Sequence, residues 1–280
     1  MVDIETVLQE AISLGDEGRW LEMAELLGET LQEFPDDPYL LAWMGVAEQE
    51  LDNEGAAYEY FRRCLAQDPL DPSLLALAGA ALAAFDDPEA ESALRAAALT
   101  GPEVPVARLQ YGAYLAREGL FEDALEHLRA AVELAPEDPA THSELAVALA
   151  MSGELEAAVP EMEIALDLAP DDSWNRLILG LIYAELDRLE EAAEAIVQAA
   201  ETQEEDAEAQ ILAALAAASV GWDDAAHDAL ARAEFAAAAS DAPMIAEAED
   251  RILTGRERAQ EMLIETLGPS SLRDRLSYHF

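Results

Sequence analysis

The sequence predicts an all-α repeat array of about seven helix pairs, closed by a capping helix and a short tail. Three observations carry this reading. Prolines recur at Pro35, Pro69, Pro102, Pro136 and Pro170, so successive intervals are 34, 33, 34 and 34 residues, a period that two short helices and their turns fill. Residues 136–170 show the pattern most clearly: a proline stop, an Asp-Pro start, and two apolar-striped stretches with a glycine between them. The apolar content is rich in alanine, which favours helix on propensity alone.

Counting the stop proline as the thirty-second residue, the units run 4–37, 38–71, 72–104, 105–138, 139–172, 173–206 and 207–240. The eighth residues are then Ala11, Gly45, Gly79, Gly112, Ala146, Gly180 and Ala214, all small. The twentieth are Met23, Ala57, Ala90, Ala124, Ala158, Ala192 and Ala226, and the twenty-seventh Thr30, Cys64, Ala97, Ala131, Ala165, Ala199 and Ala233. Between them the twenty-fourth residue is bulky: Leu27, Phe61, Leu94, Leu128, Met162, Ile196 and Leu230. Two crossing helices approach closely only where the facing side chains are small, and the bulky residue fills the space beside that crossing.

The turns follow from backbone chemistry. Asp37-Pro38, Asp71-Pro72 and Asp138-Pro139 set an N-cap carboxylate before a proline at the first helical position, where the missing N–H costs nothing. Capping also accounts for the clustered aspartates, which lack the twelve-residue spacing of a calcium loop. Pro160 falls inside an expected helix and predicts a lost hydrogen bond and a bend. An apolar stripe over 243–267 predicts one capping helix, which Gly268-Pro269 is expected to break, with Ser270 or Ser271 capping a final short helix.

Charge narrows the function classes. The chain has 60 acidic residues against 15 basic ones, all arginine, for a net −45. Such self-repulsion strains a compact fold in dilute salt and is screened at molar ionic strength, so the composition reads as a cytoplasmic protein of a salt-accumulating halophile. It disfavours nucleic acid and anionic membranes as partners. The longest uncharged runs, 72–85 and 209–222, hold 14 residues each, too few to span a bilayer. The N-terminus lacks the basic and apolar regions of a signal peptide, and the single cysteine, Cys64, allows no internal disulfide. The histidines are scattered, and no phosphate loop, Walker lysine or serine elbow is present, so neither an enzyme, a cofactor nor a metal is expected.

The small residues at positions eight, twenty and twenty-seven, the bulky twenty-fourth and the proline at thirty-two resemble the tetratricopeptide repeat family. The fourth position departs from it: Leu41 and Leu75 fit, whereas Arg108, His142, Arg176 and Gln210 do not. Unit three is one residue short and unit seven has no stop proline. The resemblance implies a right-handed α-solenoid whose first helices line a concave groove that binds a protein or peptide. The positions that face such a groove correspond here to Tyr39, Trp43, Leu77, Ala80, Gln110, Ala113, Arg117, Glu144, Trp174, Ile178 and Leu181, with Gln49 and Glu50 beside them. The basic residues with which some relatives clamp a chaperone's C-terminal carboxylate are absent: the fifth positions are Leu8, Ala42, Ala76, Leu109, Ser143, Leu177 and Ile211.

Two stretches draw attention beyond the repeat. The first helix of unit three, over 73–85, is apolar all round, so its groove face is expected to be covered by something. The last 30 residues carry five arginines against four acids, and Leu272, Arg273, Arg275, Leu276, Tyr278 and Phe280 offer anchors complementary to the acidic body. The leading expectation is a scaffold or adaptor. The alternative is self-association, with the tail docked in its own groove or a neighbour's.

Overall fold

The computed structural model describes residues 3–277, with side chains through residue 276, and every regular element among them is helical. Two compact units, Met1–Ala135 and Pro136–Phe280, are described in turn.

In the first unit, α1 (Ile4–Asp16) pairs with α2 (Trp20–Glu33), α3 (Pro38–Glu50) with α4 (Glu54–Leu65), α5 (Pro72–Ala83) with α6 (Ala90–Thr100), and α7 (Pro105–Arg117) with α8 (Phe121–Leu134). Each pair also packs on the next, α2 against α3, α4 against α5, and α6 against α7. In the second unit the pairs are α9 (Pro139–Met151) with α10 (Leu155–Leu168), α11 (Ser173–Glu185) with α12 (Leu189–Thr202), and α13 (Ala207–Val220) with α14 (Asp223–Ala236). Helices α15 (Ala242–Thr254) and α16 (Arg256–Met262), a π-turn (Leu263–Leu267) and α17 (Gly268–Ser277) complete it.

The close approach within each pair is direct. A Cβ added at Gly45 would lie 2.8 Å from the Phe61 ring, at Gly79 2.9 Å from Leu94, at Gly112 2.7 Å from Leu128, and at Gly180 2.5 Å from Ile196. The eighth residue of each of these units therefore faces the twenty-fourth, and Phe61, Leu94, Leu128 and Ile196 are all but fully buried.

The caps keep the same phase. Asp37, Asp71, Asp138, Asp172 and Asp206 each accept a hydrogen bond from a backbone N–H of the helix they precede. Unit three, one residue short, puts Val104 where the aspartate would stand, and α7 starts on Pro105 with no side-chain cap. Inside every pair the fifteenth residue adopts the left-handed conformation: Gly18, Asp52, Asp86, Gly119, Gly153, Asp187 and Gly221 all have φ between 50° and 86°. Aspartate tolerates that region better than most side chains, and glycine enters it freely. Nothing lies within 4 Å of a Cβ built on Gly153, so Gly153→Ala isolates the backbone cost. It is expected to lower the unfolding free energy by about 1 kcal/mol, while Asp187→Gly leaves it level or raises it, as urea titration would measure.

The irregular fourth residues also have a structural use. Arg108 donates from Nε to the Pro102 carbonyl at 3.1 Å, His142 Nε2 lies 3.1 Å from the Pro136 carbonyl, and Arg176 donates to the Pro170 carbonyl. Gln210 donates to the Gln203 carbonyl at 3.1 Å in the turn that ends unit six, where Glu204 stands at the thirty-second position. A polar fourth residue thus satisfies a carbonyl of the preceding turn, six residues upstream for Arg108, His142 and Arg176 and seven for Gln210.

Two sequence expectations are corrected in the C-terminal region. The helix expected over 243–267 breaks at Gly255, whose φ of 131° and ψ of 169° suit glycine alone. Gly268-Pro269 does not break it. The chain widens into the π-turn just before the proline, with the Gly268 N–H donating to the Leu263 carbonyl, so the ring meets a displaced carbonyl rather than the α-register one. A Cβ on Gly268 would stand 2.2 Å from that carbonyl oxygen, which explains the glycine. Pro160 sits within α10, and the helix runs on through it to Leu168.

Candidate partner-binding faces on the first helices

In the first unit, α3, α5 and α7 carry the expected groove residues at equivalent repeat positions. Trp43, Leu77 and Gln110, the sixth residues, are half-buried, and Ala80 likewise, while Ala113 is buried. Trp43, Leu77 and Ala80 rest on the unit's apolar core. Tyr39 is 40% exposed, and its hydroxyl donates to Asp71 Oδ2 at 2.8 Å, which raises its pKa above the ordinary value. Arg117 is half-buried with its guanidinium 5.3 Å from the Tyr114 ring centre; Gln49 and Glu50 are exposed. Among the described residues, the chain's own tail does not cover the uncharged helix of unit three. Leu75, Leu77, Ala80 and Ala81 of α5 stay half-buried and Phe85 is 41% exposed.

The second unit differs at the same repeat positions. Ile178 and Leu181 are fully buried, as are Leu212 and Leu215 on α13, so these residues are not open groove wall. Helix α13 is enclosed on nearly every side, from Ala209 through Ser219. The cover is the chain's own C-terminal segment: α16 and the π-turn pack on α13, and α17 turns back onto α11 and α9. Leu263, Leu267, Leu272 and Leu276 are buried by this docking. A Cβ on Gly268 would lie 4.0 Å from Leu181 Cδ2. Glu144 on α9 is half-buried with Oε2 enclosed, and Trp174 is half-buried at the start of α11.

Polar contacts fix the register of the segment. Asp206, the N-cap of α13, accepts from the Ala209 N–H with Oδ1 and from Arg275 Nη2 with Oδ2 at 2.7 Å. Arg275 Nε also donates to the buried Ser271 Oγ at 3.2 Å. Burial raises the Glu185 carboxyl above its ordinary pKa, and the charge of Arg273 opposes that rise. At the other end the Arg256 guanidinium lies against Gly221, where a Cβ would come within 1.7 Å of Nη2. Tyr278 and Phe280, the remaining expected anchors, lie outside the described residues.

Chemistry beyond packing is sparse. No group of three or more His, Cys, Asp or Glu is placed to hold a metal ion among the described residues, and no described helix is long and apolar enough to cross a membrane. Cys64 is buried, which pushes its thiol up to about 12. His127 is held below its ordinary pKa by burial and by Arg108, and its ring meets Tyr111 edge-on at 4.9 Å.

Comparison with known proteins agrees with this architecture. No curated protein matches the chain. Among solved structures it is similar to the APC/C hetero-tetramer Cut9–Hcn1, with a TM-score of 0.71 and 19% identity over 87% of this chain and 48% of that one. It is also similar to PilW, a widely conserved type IV pilus biogenesis factor, with a TM-score of 0.61 and 21% identity over 70% and 92%. A thermophilic tetratricopeptide protein of Thermus thermophilus aligns with a TM-score of 0.50 and 27% identity over 60% and 92%. Residues 115–173 and 176–206 match tetratricopeptide repeat models, so the chain has a helical repeat fold with recognised tetratricopeptide repeats in that span.

Proposed function

We propose that the chain is a non-catalytic interaction scaffold that binds an amphipathic helix of a protein partner on the α3–α5–α7 face of its first unit. The observation that carries this reading is the contrast between the two units. The first-helix face of the second unit already holds a leucine-striped helix, whereas the equivalent residues Trp43, Leu77 and Ala80 are half-exposed. Apolar surface left open on a carboxylate-rich protein marks a partner site, and a leucine-striped helix is the natural complement of a face built from helix ridges. The acid excess supports a cytoplasmic, high-salt setting and a partner without dense negative charge. Self-association is the second reading, favoured by the same docking of the C-terminal segment, which a neighbouring copy can supply equally well.

The test is a photo-crosslinking residue at Leu77 of the full chain in native high-salt extract, with Leu99, 74% exposed on α6, as the control. The Leu77 probe is expected to trap one protein through an amphipathic helix, and Leu77→Glu to weaken that complex at least tenfold while Leu99→Glu does not. Equal capture from both positions would remove the assignment. Trapping of a second copy, with a doubled mass in solution, would favour the self-association reading.

A further inference from the structure

The C-terminal segment does more than a terminal cap requires. A cap has only to cover the last pair of an array, and α15 and α16 already pack on α13 and α14. Helix α17 continues past them and lies along α11 and α9, burying Ile178 and Leu181. Its hold is one that any separate helix of like sequence can supply. Leucines 263, 267, 272 and 276 enter the face, and one arginine reaches an oxygen that the Asp206 cap leaves free for it. The repeat itself presents that carboxylate, since Asp206 stands at the N-cap position shared with Asp138 and Asp172.

Gly255 joins α15 to α16 in a backbone conformation that other residues rarely adopt, and no atom lies within 4 Å of a Cβ built there. A swing at this joint breaks no helix. On the near side, α15 buries only Ile245 and Ala248. Charge favours return of the segment, because the last 30 residues carry no acidic excess on a chain of net −45.

We propose that the segment over 256–277 is a displaceable internal ligand, and that the α9–α11–α13 face is a second partner site. Its partner is an amphipathic helix with leucines at the spacing of 263, 267, 272 and 276 and an arginine one place before the last. This face is carried by residues of the second unit and the α3–α5–α7 face by residues of the first, so either assignment can fail alone.

The test uses the full-length chain in molar KCl and a fluorescein-labelled synthetic peptide of residues 256–277. Wild type is compared with a Leu272→Asp, Arg275→Glu variant whose own segment is unseated. The variant is expected to bind the peptide at least tenfold more tightly than wild type, with the gain lost when the peptide carries Arg275→Glu and kept when the protein carries Leu77→Glu. Equal affinity for wild type and variant, or loss of binding on Leu77→Glu, would overturn the proposal. Should the variant lose helix by circular dichroism, hydrogen exchange on wild type decides instead. Amides of 256–277 are expected to exchange well before those of α13; exchange in step with α13 would make the segment a fixed part of the core.

Discussion

Replacing Phe61 by alanine is expected to lower the unfolding free energy by about 3–5 kcal/mol, the usual cost of emptying a buried aromatic site. Phe61 is 1% exposed and stands against Gly45, where even a Cβ would come within 2.8 Å of the ring. The converse change tests the same contact from the other helix. Gly45→Ala gains about 1 kcal/mol of helix propensity but drives a methyl group into a ring that has no free space, at about 1–3 kcal/mol. The clash wins, so Gly45→Ala is expected to destabilise despite the better helix former. The double change Gly45→Ala, Phe61→Leu should cost less than the sum of its parts, because the new methyl occupies volume that the smaller side chain vacates. Additive costs in urea unfolding at fixed high salt would show that the two residues do not share one contact.

That contact is the part of the fold that sequence periodicity exposes most plainly. A small eighth residue and a bulky twenty-fourth recur because every pair solves the same packing problem, and Gly180 with Ile196 repeats what Gly45 does with Phe61. The fifteenth residue is less visible, since glycine and aspartate share no hydropathy; what they share is tolerance of positive φ. Arg108, His142, Arg176 and Gln210 read as decay of the repeat until the turn is built and the upstream carbonyl stands within reach.

The site was legible only in part, for a tertiary reason. Helices α5 and α13 are both uncharged through their middle turns, and composition alone treats them alike. What separates them is that the C-terminal segment lies on α13, a choice set by contacts such as Arg275 with Asp206 across 69 residues of chain. Gly268-Pro269 has the residues of a helix stop, yet a π-turn absorbs the proline, and the true break falls at Gly255. Residues such as Ile178 and Leu181 therefore have the groove-facing repeat position and still lie buried.

Removing salt is expected to cost the fold more than any single substitution outside the core. Glu122 and Glu126 on α8, Glu190 and Glu194 on α12, and Asp224 and Asp228 on α14 are exposed neighbours one helical turn apart. Like charges at that spacing cost a few tenths of a kcal/mol per pair, so the roughly ten exposed pairs within single helices amount to about 2–5 kcal/mol, a sizeable share of the 5–15 kcal/mol that typically holds a domain folded. With 15 arginines for 60 acids, attraction cannot balance this. Exposed pairs such as Arg188 with Glu191 or Arg19 with Glu22 contribute little in any case. Salt weakens both terms, but repulsion is the larger, so the sign is fixed: stability rises with ionic strength. Between 10 mM and 2 M KCl the Debye length falls from roughly 30 Å to less than roughly 3 Å, and the melting midpoint is expected to rise by about 5–20 °C. Replacing Glu122, Glu190 and Asp224 by their amides should reduce that slope and raise the low-salt midpoint. General salting-out would leave the slope unchanged by those substitutions, and a midpoint independent of KCl would mean that the acid excess does not strain the fold.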